Sequence, residues 1–169
     1  LYSTNISRER MTHKELKLAP KIALYQPDIP QNTASIIRTC SCLGTILEII
    51  EPCGFIFSDK RFKRVVMDYY DKKNIIFYKS KNEFFNKKKD SRIILMTTKA
   101  KNSYSEFMFN KNDTILFGNE SSGVPNDVHD RVTERLTIPM IEKKRSLNLS
   151  SSVAIVLSKA INQKYLNGY

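Results

Sequence analysis

Two polar loops, each following a short apolar run, carry the side chains best suited to bind a ligand. The first loop, Gly118-Asn-Glu-Ser-Ser-Gly123, follows the apolar run Thr114-Ile-Leu-Phe117. The second extends from Pro139 through Arg145-Ser-Leu-Asn-Leu-Ser150 and follows Leu136-Thr-Ile138. Small and polar residues at the carboxyl ends of strands are where α/β proteins place their ligands. The two loops therefore predict one shared pocket, although an α/β domain without a ligand also has polar loops at these positions.

Several common chemistries do not fit this sequence. The five glycines form neither a Gly-x-Gly-x-x-Gly nor a Gly-Lys-Ser/Thr sequence, which excludes a Rossmann dinucleotide site and a P-loop. No acidic cluster suggests a two-metal nuclease. His13 and His129 are the only histidines, and His13 lies in a polar N-terminal stretch, so a Ser-His-Asp triad is not expected. A ligand would be held by strand-end backbone groups and a few side chains.

The cysteines indicate a reducing compartment. Cys40, Cys42 and Cys53 are an odd, sparse set, which argues against a disulfide framework. Cys40-Ser-Cys42 is too short a spacing for a zinc knuckle, so we expect no metal site.

No apolar run approaches the ~18 residues needed to cross a membrane, and the N-terminus lacks the apolar core of a signal peptide. The sequence thus predicts a cytoplasmic protein.

The positive charge is concentrated in one quarter of the chain. Residues 60–101 carry fourteen basic and four acidic groups, which is +10 of the total net charge of +11. A one-sided basic field is the usual footprint of a polyanionic partner such as nucleic acid. A lysine-rich solvated surface is the alternative. The interleaved aromatic residues are more typical of a core than of base stacking, because Phe77 and Phe84 lie in apolar runs.

Strands alternate with helices along the chain, which predicts an α/β fold with a mainly parallel sheet covered by helices on both faces. Asn32 is expected to cap a helix that ends at Gly44, with Arg38 opposite its apolar face. Residues 1–20 form a polar arm or a tag remnant, and residues 21–169 form a single domain. The predicted strands are 21–25, 46–50, 74–78, 92–97, 114–117 and 136–138, and the predicted helices are 32–43, a short one from 59, 80–88 and a long C-terminal one.

Three ordered motifs resemble those of the SPOUT-class RNA 2′-O-ribose methyltransferases. They are Asn32-Thr-Ala-Ser-Ile-Ile-Arg38, Phe117-Gly-Asn-Glu-Ser-Ser-Gly123, and Ile138-Pro-Met140 with Ser146-Leu-Asn-Leu-Ser150. Further segments are similar to one branch, the tRNA wobble-nucleotide (cytidine/uridine-34) 2′-O-methyltransferases. These segments are Leu24-Tyr-Gln-Pro-Asp-Ile-Pro-Gln-Asn32, Ile50-Glu-Pro-Cys-Gly-Phe55, and Asp59-Lys-Arg-Phe-Lys-Arg64 followed by Asp68-Tyr69. The resemblance covers about residues 20–166.

The resemblance implies a C-terminal trefoil knot, a homodimer, and S-adenosyl-L-methionine bound in the knot. It also implies that the substrate is a tRNA, which the protein binds at the anticodon arm. Its cofactor contacts fall on Met96, Gly118, Ile138, Met140 and Ser146. Its catalytic arginine falls on Arg38, and its supporting polar groups fall on Asn32, Glu120, Ser146 and Asn148. We expect RNA to be bound by the basic residues Lys60, Arg61, Lys63 and Arg64.

Each of these residues also has a structural interpretation. Arg38 is a poor base, because a guanidinium keeps its proton in proteins, and it would orient a phosphate or favour a developing alkoxide. It could equally be a solvated helix residue. Asn32, Ser146 and Asn148 could be helix caps, Glu120 a surface charge, and Met96 and Ile138 ordinary strand packing.

The functional alternatives are the same methyl transfer on ribosomal RNA, or a non-catalytic RNA-binding protein on the same fold. The homodimer is also suggested by Ile155 and Tyr165, which lie off the main apolar stripe of the C-terminal helix.

Overall fold

A computed structural model describes residues 19–66 and 68–166, with the side chains of Arg61 and residues 164–166 left out of the description. Residues 1–18 lie outside it, so the predicted arm and His13 are not described. In the described part, the elements are β1 (Lys21–Tyr25), α1 (Pro30–Cys42), β2 (Leu47–Ile50), α2 (Lys60–Val66), β3 (Ile75–Tyr78), α3 (Lys81–Lys87), β4 (Ile93–Met96), β5 (Asn102–Ser103), a 3₁₀ helix (Tyr104–Glu106), β6 (Thr114–Phe117), α4 (Asn126–His129), β7 (Glu134–Thr137) and α5 (Leu149–Leu166).

The strands form one sheet in the order β3-β2-β1-β6-β4-β7-β5, and every pairing between them is parallel. The central strands are buried on both faces, as expected where helices cover a parallel sheet. The predicted α/β architecture is confirmed. The threading of the C-terminal segment into a knot stays a prediction.

Two apolar layers enclose the sheet. The larger one contains Ile22, Leu24 and Ile115 from the sheet and residues of α1, α2 and α5. The other contains Ala23, Leu95 and Leu116 from the opposite face and residues of α3 and α4. Because successive side chains of a strand point to opposite faces, β1, β2, β3, β4 and β6 each contribute to both layers.

The structure corrects the predicted role of Asn32 as a helix cap. Helix α1 begins at Pro30, its N-cap residue is Ile29, and no side chain of its own segment caps it. Proline suits this first position because its missing N–H would be unpaired there anyway. Asn32 therefore lies inside the first turn and is buried. The predicted stop is correct: Leu43 is the C-cap, and Gly44 follows with φ of 64°.

The other corrections concern short elements. The sequence did not predict α4 or the two-residue strand β5, and β7 begins two residues before the predicted Leu136. Half of the predicted capping box is present: the hydroxyl of Ser80 accepts the N–H of Glu83 at 3.2 Å, whereas the carboxylate of Glu83 accepts the N–H of Lys79 at 2.7 Å and not that of Ser80. Helix α3 nevertheless ends at Lys87, so Lys88 is its C-cap residue.

Candidate active site

A cavity of about 520 Å³ opens where the three neighbouring strands β4, β6 and β7 end. Met96 is paired with Phe117 on one side and with Leu136 on the other. The chain segments that follow these strands consequently start at the same level and lie side by side. Ligand sites in α/β proteins lie at this carboxyl edge, and their usual volume is about 300–1,000 Å³.

The wall of the cavity at Gly118 is a close approach of two backbone segments. A Cβ atom on Gly118 would lie 2.8 Å from the Cα and carbonyl carbon of Gly123. Gly123 itself has φ of +68°, a conformation that residues with a Cβ rarely adopt. The polar loop between them is thus folded back tightly against the end of β6, and its backbone is exposed to the cavity.

Asn119 closes this loop. Its backbone N–H and C=O exchange hydrogen bonds of 2.9 Å with Gly123. Its side-chain oxygen accepts from the N–H groups of Ser121 and Ser122, at 2.9 and 3.0 Å. Its side-chain nitrogen donates to the carbonyl of Gln26 at 2.6 Å, which ties the loop to the end of β1. The loop is therefore preformed, which reduces the entropy lost when a ligand binds.

Glu120 supplies the cap that α1 lacks in its own segment. One carboxylate oxygen accepts the N–H of Asp28 at 2.8 Å, and the other accepts the N–H of Ile29 at 3.2 Å. The second oxygen also accepts from the side-chain amide of Asn32 at 3.3 Å. A carboxylate at a helix N-terminus satisfies unpaired N–H groups and is favoured by the helix dipole. Glu120 is thereby fixed as a hydrogen-bond acceptor.

The network continues from Asn32 to the last helix. The side-chain oxygen of Asn32 accepts from the amide of Asn148 at 2.9 Å. The side-chain oxygen of Asn148 in turn accepts from the N–H of Ser150 at 2.9 Å and of Ser151 at 3.3 Å, so it caps α5. Asn148 is a helix cap and a member of the site network at once. The three sequence motifs meet in this chain of hydrogen bonds.

The predicted cofactor residues and supporting polar residues all line the same cavity. They are Met96, Gly118, Ile138, Met140 and Ser146, together with Asn32, Glu120 and Asn148.

Arg38 lies elsewhere. It is exposed on α1 and is absent from the described residues that line the cavity. Its guanidinium carbon lies 4.9 Å from the centroid of the Tyr69 ring. The predicted RNA residues Lys60, Lys63 and Arg64 are exposed on α2, whereas the side chain of Arg61 lies outside the description.

Sequence reasoning missed three basic residues of the cavity lining, namely Lys99, His129 and Arg145. Burial, together with the positive charges of Lys99 and Arg135, lowers the pKa of His129 below its usual value. Arg145 stood inside a quoted motif, but nothing in its local sequence distinguishes it from Lys143 and Lys144. Lys99 and Arg145 remain as the cations of this lining, and they suit an anionic group of a ligand.

Thiol and metal chemistry have no support in the described residues. No group of three or more His, Cys, Asp or Glu side chains there could hold a metal ion. Burial raises the pKa of Cys40 to about 12 and that of Cys53 to about 12, so neither is an activated thiolate. No helix in the described ranges has the length and apolar character needed to span a membrane.

Comparison with known proteins agrees with this geometry. The sequence profile of the SpoU rRNA Methylase family matches residues 19–158. A tRNA (cytidine(34)-2'-O)-methyltransferase of Beijerinckia indica is 42% identical over 144 residues, which are 84% of this chain and 90% of the relative. A solved structure concerned with the 2-OH methylation of C/U34 on tRNA superimposes with a TM-score of 0.82 at 33% identity, covering 88% of this chain and 98% of the other.

A more distant neighbour supports the fold alone. A SpoU methyltransferase of Streptomyces viridochromogenes in complex with AdoMet has a TM-score of 0.75 at 19% identity, covering 86% of this chain and 57% of that protein. The chain belongs to the SpoU methylase family. The predicted membership in the RNA 2′-O-ribose methyltransferases is thus confirmed.

Proposed function

We propose that this protein transfers a methyl group from S-adenosyl-L-methionine to the ribose 2′-hydroxyl of the wobble nucleotide of a tRNA. The observation that carries the proposal is the hydrogen-bonded chain Glu120–Asn32–Asn148 at the wall of the cavity. These hydrogen bonds connect the three sequence motifs. The protein that carries them is 42% identical to a tRNA (cytidine(34)-2'-O)-methyltransferase. We further propose the cytoplasm as its compartment, since its three cysteines are free.

The cavity fits the cofactor. Its apolar side chains Met96, Ile138 and Met140 suit an adenine ring and the carbon chain beside a sulfonium, and the strand-end backbone near Gly118 offers polar groups without a side chain in the way. These residues would hold the cofactor, with Ser146 at the same wall. When bound, S-adenosyl-L-methionine supplies an electrophilic methyl group on a sulfonium.

The side chains of this protein have the task of orienting and polarising the ribose hydroxyl. S-adenosyl-L-methionine would supply the methyl group to the 2′-oxygen, its sulfur would keep the electron pair of the broken bond, and the hydroxyl proton would pass to solvent, because Arg38 is a poor base. Arg38 favours the alkoxide as it develops and orients a neighbouring phosphate. Asn32, Glu120 and Asn148 are positioning residues, because their polar atoms are engaged with one another and with the starts of α1 and α5.

The place of Arg38 supports a site built from two chains. Because Arg38 does not line the described cavity of its own chain, we propose a homodimer in which the partner subunit's Arg38 reaches this cavity. Mixing an Arg38→Ala chain with a Gly118→Trp chain tests this arrangement. Mixed dimers would then regain about a quarter of the wild-type sites, since a random mixture is half heterodimer with one intact site each.

Two results would contradict a site shared between two chains. One is a monomer at micromolar concentration with full activity in light scattering. The other is a mixture that stays as inactive as its two components.

The deciding experiment maps the methyl group. Unmodified tRNA and ribosomal RNA are each incubated with the protein and methyl-labelled cofactor, then digested and analysed by mass spectrometry. A 2′-O-methyl nucleoside at position 34 of tRNA is the expected product. Label in ribosomal RNA would favour ribosomal RNA as the substrate, in agreement with the family description, SpoU rRNA Methylase. Absence of label, with cofactor and tRNA both bound, would favour a non-catalytic RNA-binding role.

A further inference from the structure

Tyr69 holds the guanidinium of Arg38 through its ring face. The distance from the Arg38 Cζ to the ring centroid is 4.9 Å, which is within the ~6 Å range of a cation–π contact. Arg38 is exposed and Tyr69 is half-buried. We infer that Tyr69 is a positioning residue for Arg38 in methyl transfer. The inference rests on the proposed function, because it assumes that Arg38 acts on the reacting hydroxyl.

The position of Tyr69 is set by the packing of α2. The apolar face of α2, with Phe62 and Val66, is buried in the larger core. The ring of Phe57 lies 4.9 Å, between centroids, from Phe62 and at the same distance from Phe77 of β3, so α2 is docked on an aromatic cluster. The N–H of Tyr69 donates to the carbonyl of Val66 at 2.9 Å, which folds the chain back at the end of the helix. The docking of α2 therefore sets the position of Tyr69.

A ring face is a suitable support for an arginine that must bind an anion. An exposed arginine loses much side-chain entropy when it is ordered by a substrate. A contact that orders it beforehand removes part of this cost from the reaction. The ring accepts the charge through its face and forms no in-plane hydrogen bond, so the N–H donors of the guanidinium stay available for a phosphate or an alkoxide. A carboxylate partner would have occupied those donors.

The inference also links RNA binding to catalysis. Lys60, Lys63 and Arg64 lie exposed on the helix whose buried face fixes the turn that carries Tyr69. RNA bound to α2 would therefore lie close to Arg38, because Tyr69 follows α2 and contacts Arg38.

The test compares Tyr69→Phe with Tyr69→Leu and uses Tyr70→Leu, at the neighbouring half-buried tyrosine, as the matched control. We expect Tyr69→Phe to retain kcat within twofold, because the ring is kept. We expect Tyr69→Leu to lower kcat by about two- to thirtyfold, the factor that corresponds to a cation–π pair, with cofactor affinity unchanged. In an Arg38→Ala background, Tyr69→Leu should lower kcat no further.

A second measurement does not depend on activity. The Arg38 side-chain N–H resonance should show an upfield ring-current shift that persists in Tyr69→Phe and is lost in Tyr69→Leu. An unshifted resonance in the wild type would overturn the inference, as would a folded Tyr69→Leu protein with wild-type kcat, or an equal loss in the Arg38→Ala background. A wild-type enzyme that methylates no RNA would instead refute the proposed function, which the unmodified protein tests separately.

Discussion

The side-chain amide of Asn148 donates to the side-chain oxygen of Asn32 at 2.9 Å, across 116 positions of sequence. Each of these asparagines also contacts a helix start: Asn148 caps α5, and Asn32 lies in the first turn of α1 beside Glu120. The bond therefore joins the N-termini of two helices that pack against each other. A substitution at the start of one helix is therefore expected to change the position of the side chains at the start of the other.

Replacing the carboxylate of Glu120 should destabilise this junction. In Glu120→Gln an NH₂ group takes the place of one acceptor oxygen, so Asp28 N–H or Ile29 N–H loses its partner. We expect a loss of about 0.5–1.5 kcal/mol in the free energy of unfolding, the usual net contribution of a hydrogen bond whose donor water can reach, and a lower methylation rate. Urea denaturation measures the first effect. Ser121→Ala is the neighbouring control, and an equal loss in it would show that the loop as a whole is responsible.

The two glycines of the polar loop should respond differently to alanine. At Gly118 the new Cβ would lie 2.8 Å from backbone atoms of Gly123, so the loop must move. At Gly123 nothing lies within 4 Å, and the cost is the unfavourable φ of +68° alone, about 1–2 kcal/mol of stability. Calorimetry with S-adenosylhomocysteine should show at least about tenfold weaker binding, or 1.4 kcal/mol, for Gly118→Ala. The reverse order of the two variants would contradict this account of the cavity wall.

The basic residues of α2 should determine the salt dependence of RNA binding. Each phosphate contact adds about one unit to the slope of log K against log salt, so Lys63→Ala with Arg64→Ala should flatten it by roughly one to two units. Cofactor affinity should stay the same. The control is Lys89→Ala with Lys111→Ala, two exposed lysines before the amino ends of β4 and β6, remote from the cavity edge. An equal flattening by both pairs would indicate a nonspecific charge effect.

Stability should fall below neutral pH through His129. Burial and the charges of Lys99 and Arg135 lower its pKa in the folded state, so the unfolded chain binds more protons between that value and the unfolded value of about 6.5. This contribution is complete above about pH 6.5 and is lost as the pH falls toward the folded value. Urea denaturation across this range should give a slope that His129→Gln reduces. A histidine resonance for residue 129 titrating above the ordinary value would refute the sign.

Lys88 should be far less replaceable than its neighbour Lys87. Its Nζ lies 2.6 Å from Glu48, with side-chain exposures of 6% and 0%, and it donates to the hydroxyl of Thr114 at 3.0 Å. Lys88→Met would leave the carboxylate of Glu48 buried without its cation, and breaking such a pair costs about 3–5 kcal/mol. Lys87 is 62% exposed in its pair with Glu83, so Lys87→Met should change little. Thermal unfolding of the two variants measures the difference, and equal melting temperatures would show that the buried pair contributes nothing.

The sequence by itself determined the pattern of elements and the family. Alternating apolar runs and helical periodicities predicted the parallel sheet, and Gly44 correctly marked the end of α1, because these signals depend on neighbours within a few residues. The motifs also predicted which residues line one cavity, since strand ends in a parallel sheet meet at one edge. The wobble-tRNA branch was suggested by local segments such as Asp59–Arg64.

Only the tertiary structure decided what those residues do. Asn32 has the local pattern of a helix cap, but Glu120, 88 positions away, takes over the cap and binds the Asn32 amide as well. Nothing in Lys87-Lys88-Lys89 distinguishes the buried lysine from its exposed neighbours, because burial depends on where α3 ends against β2 and β6. Tyr69 and Arg38 are likewise brought together by the docking of α2 on aromatic rings. Contacts between residues distant in sequence arise from how packed elements meet, and no local pattern of residue types encodes that geometry.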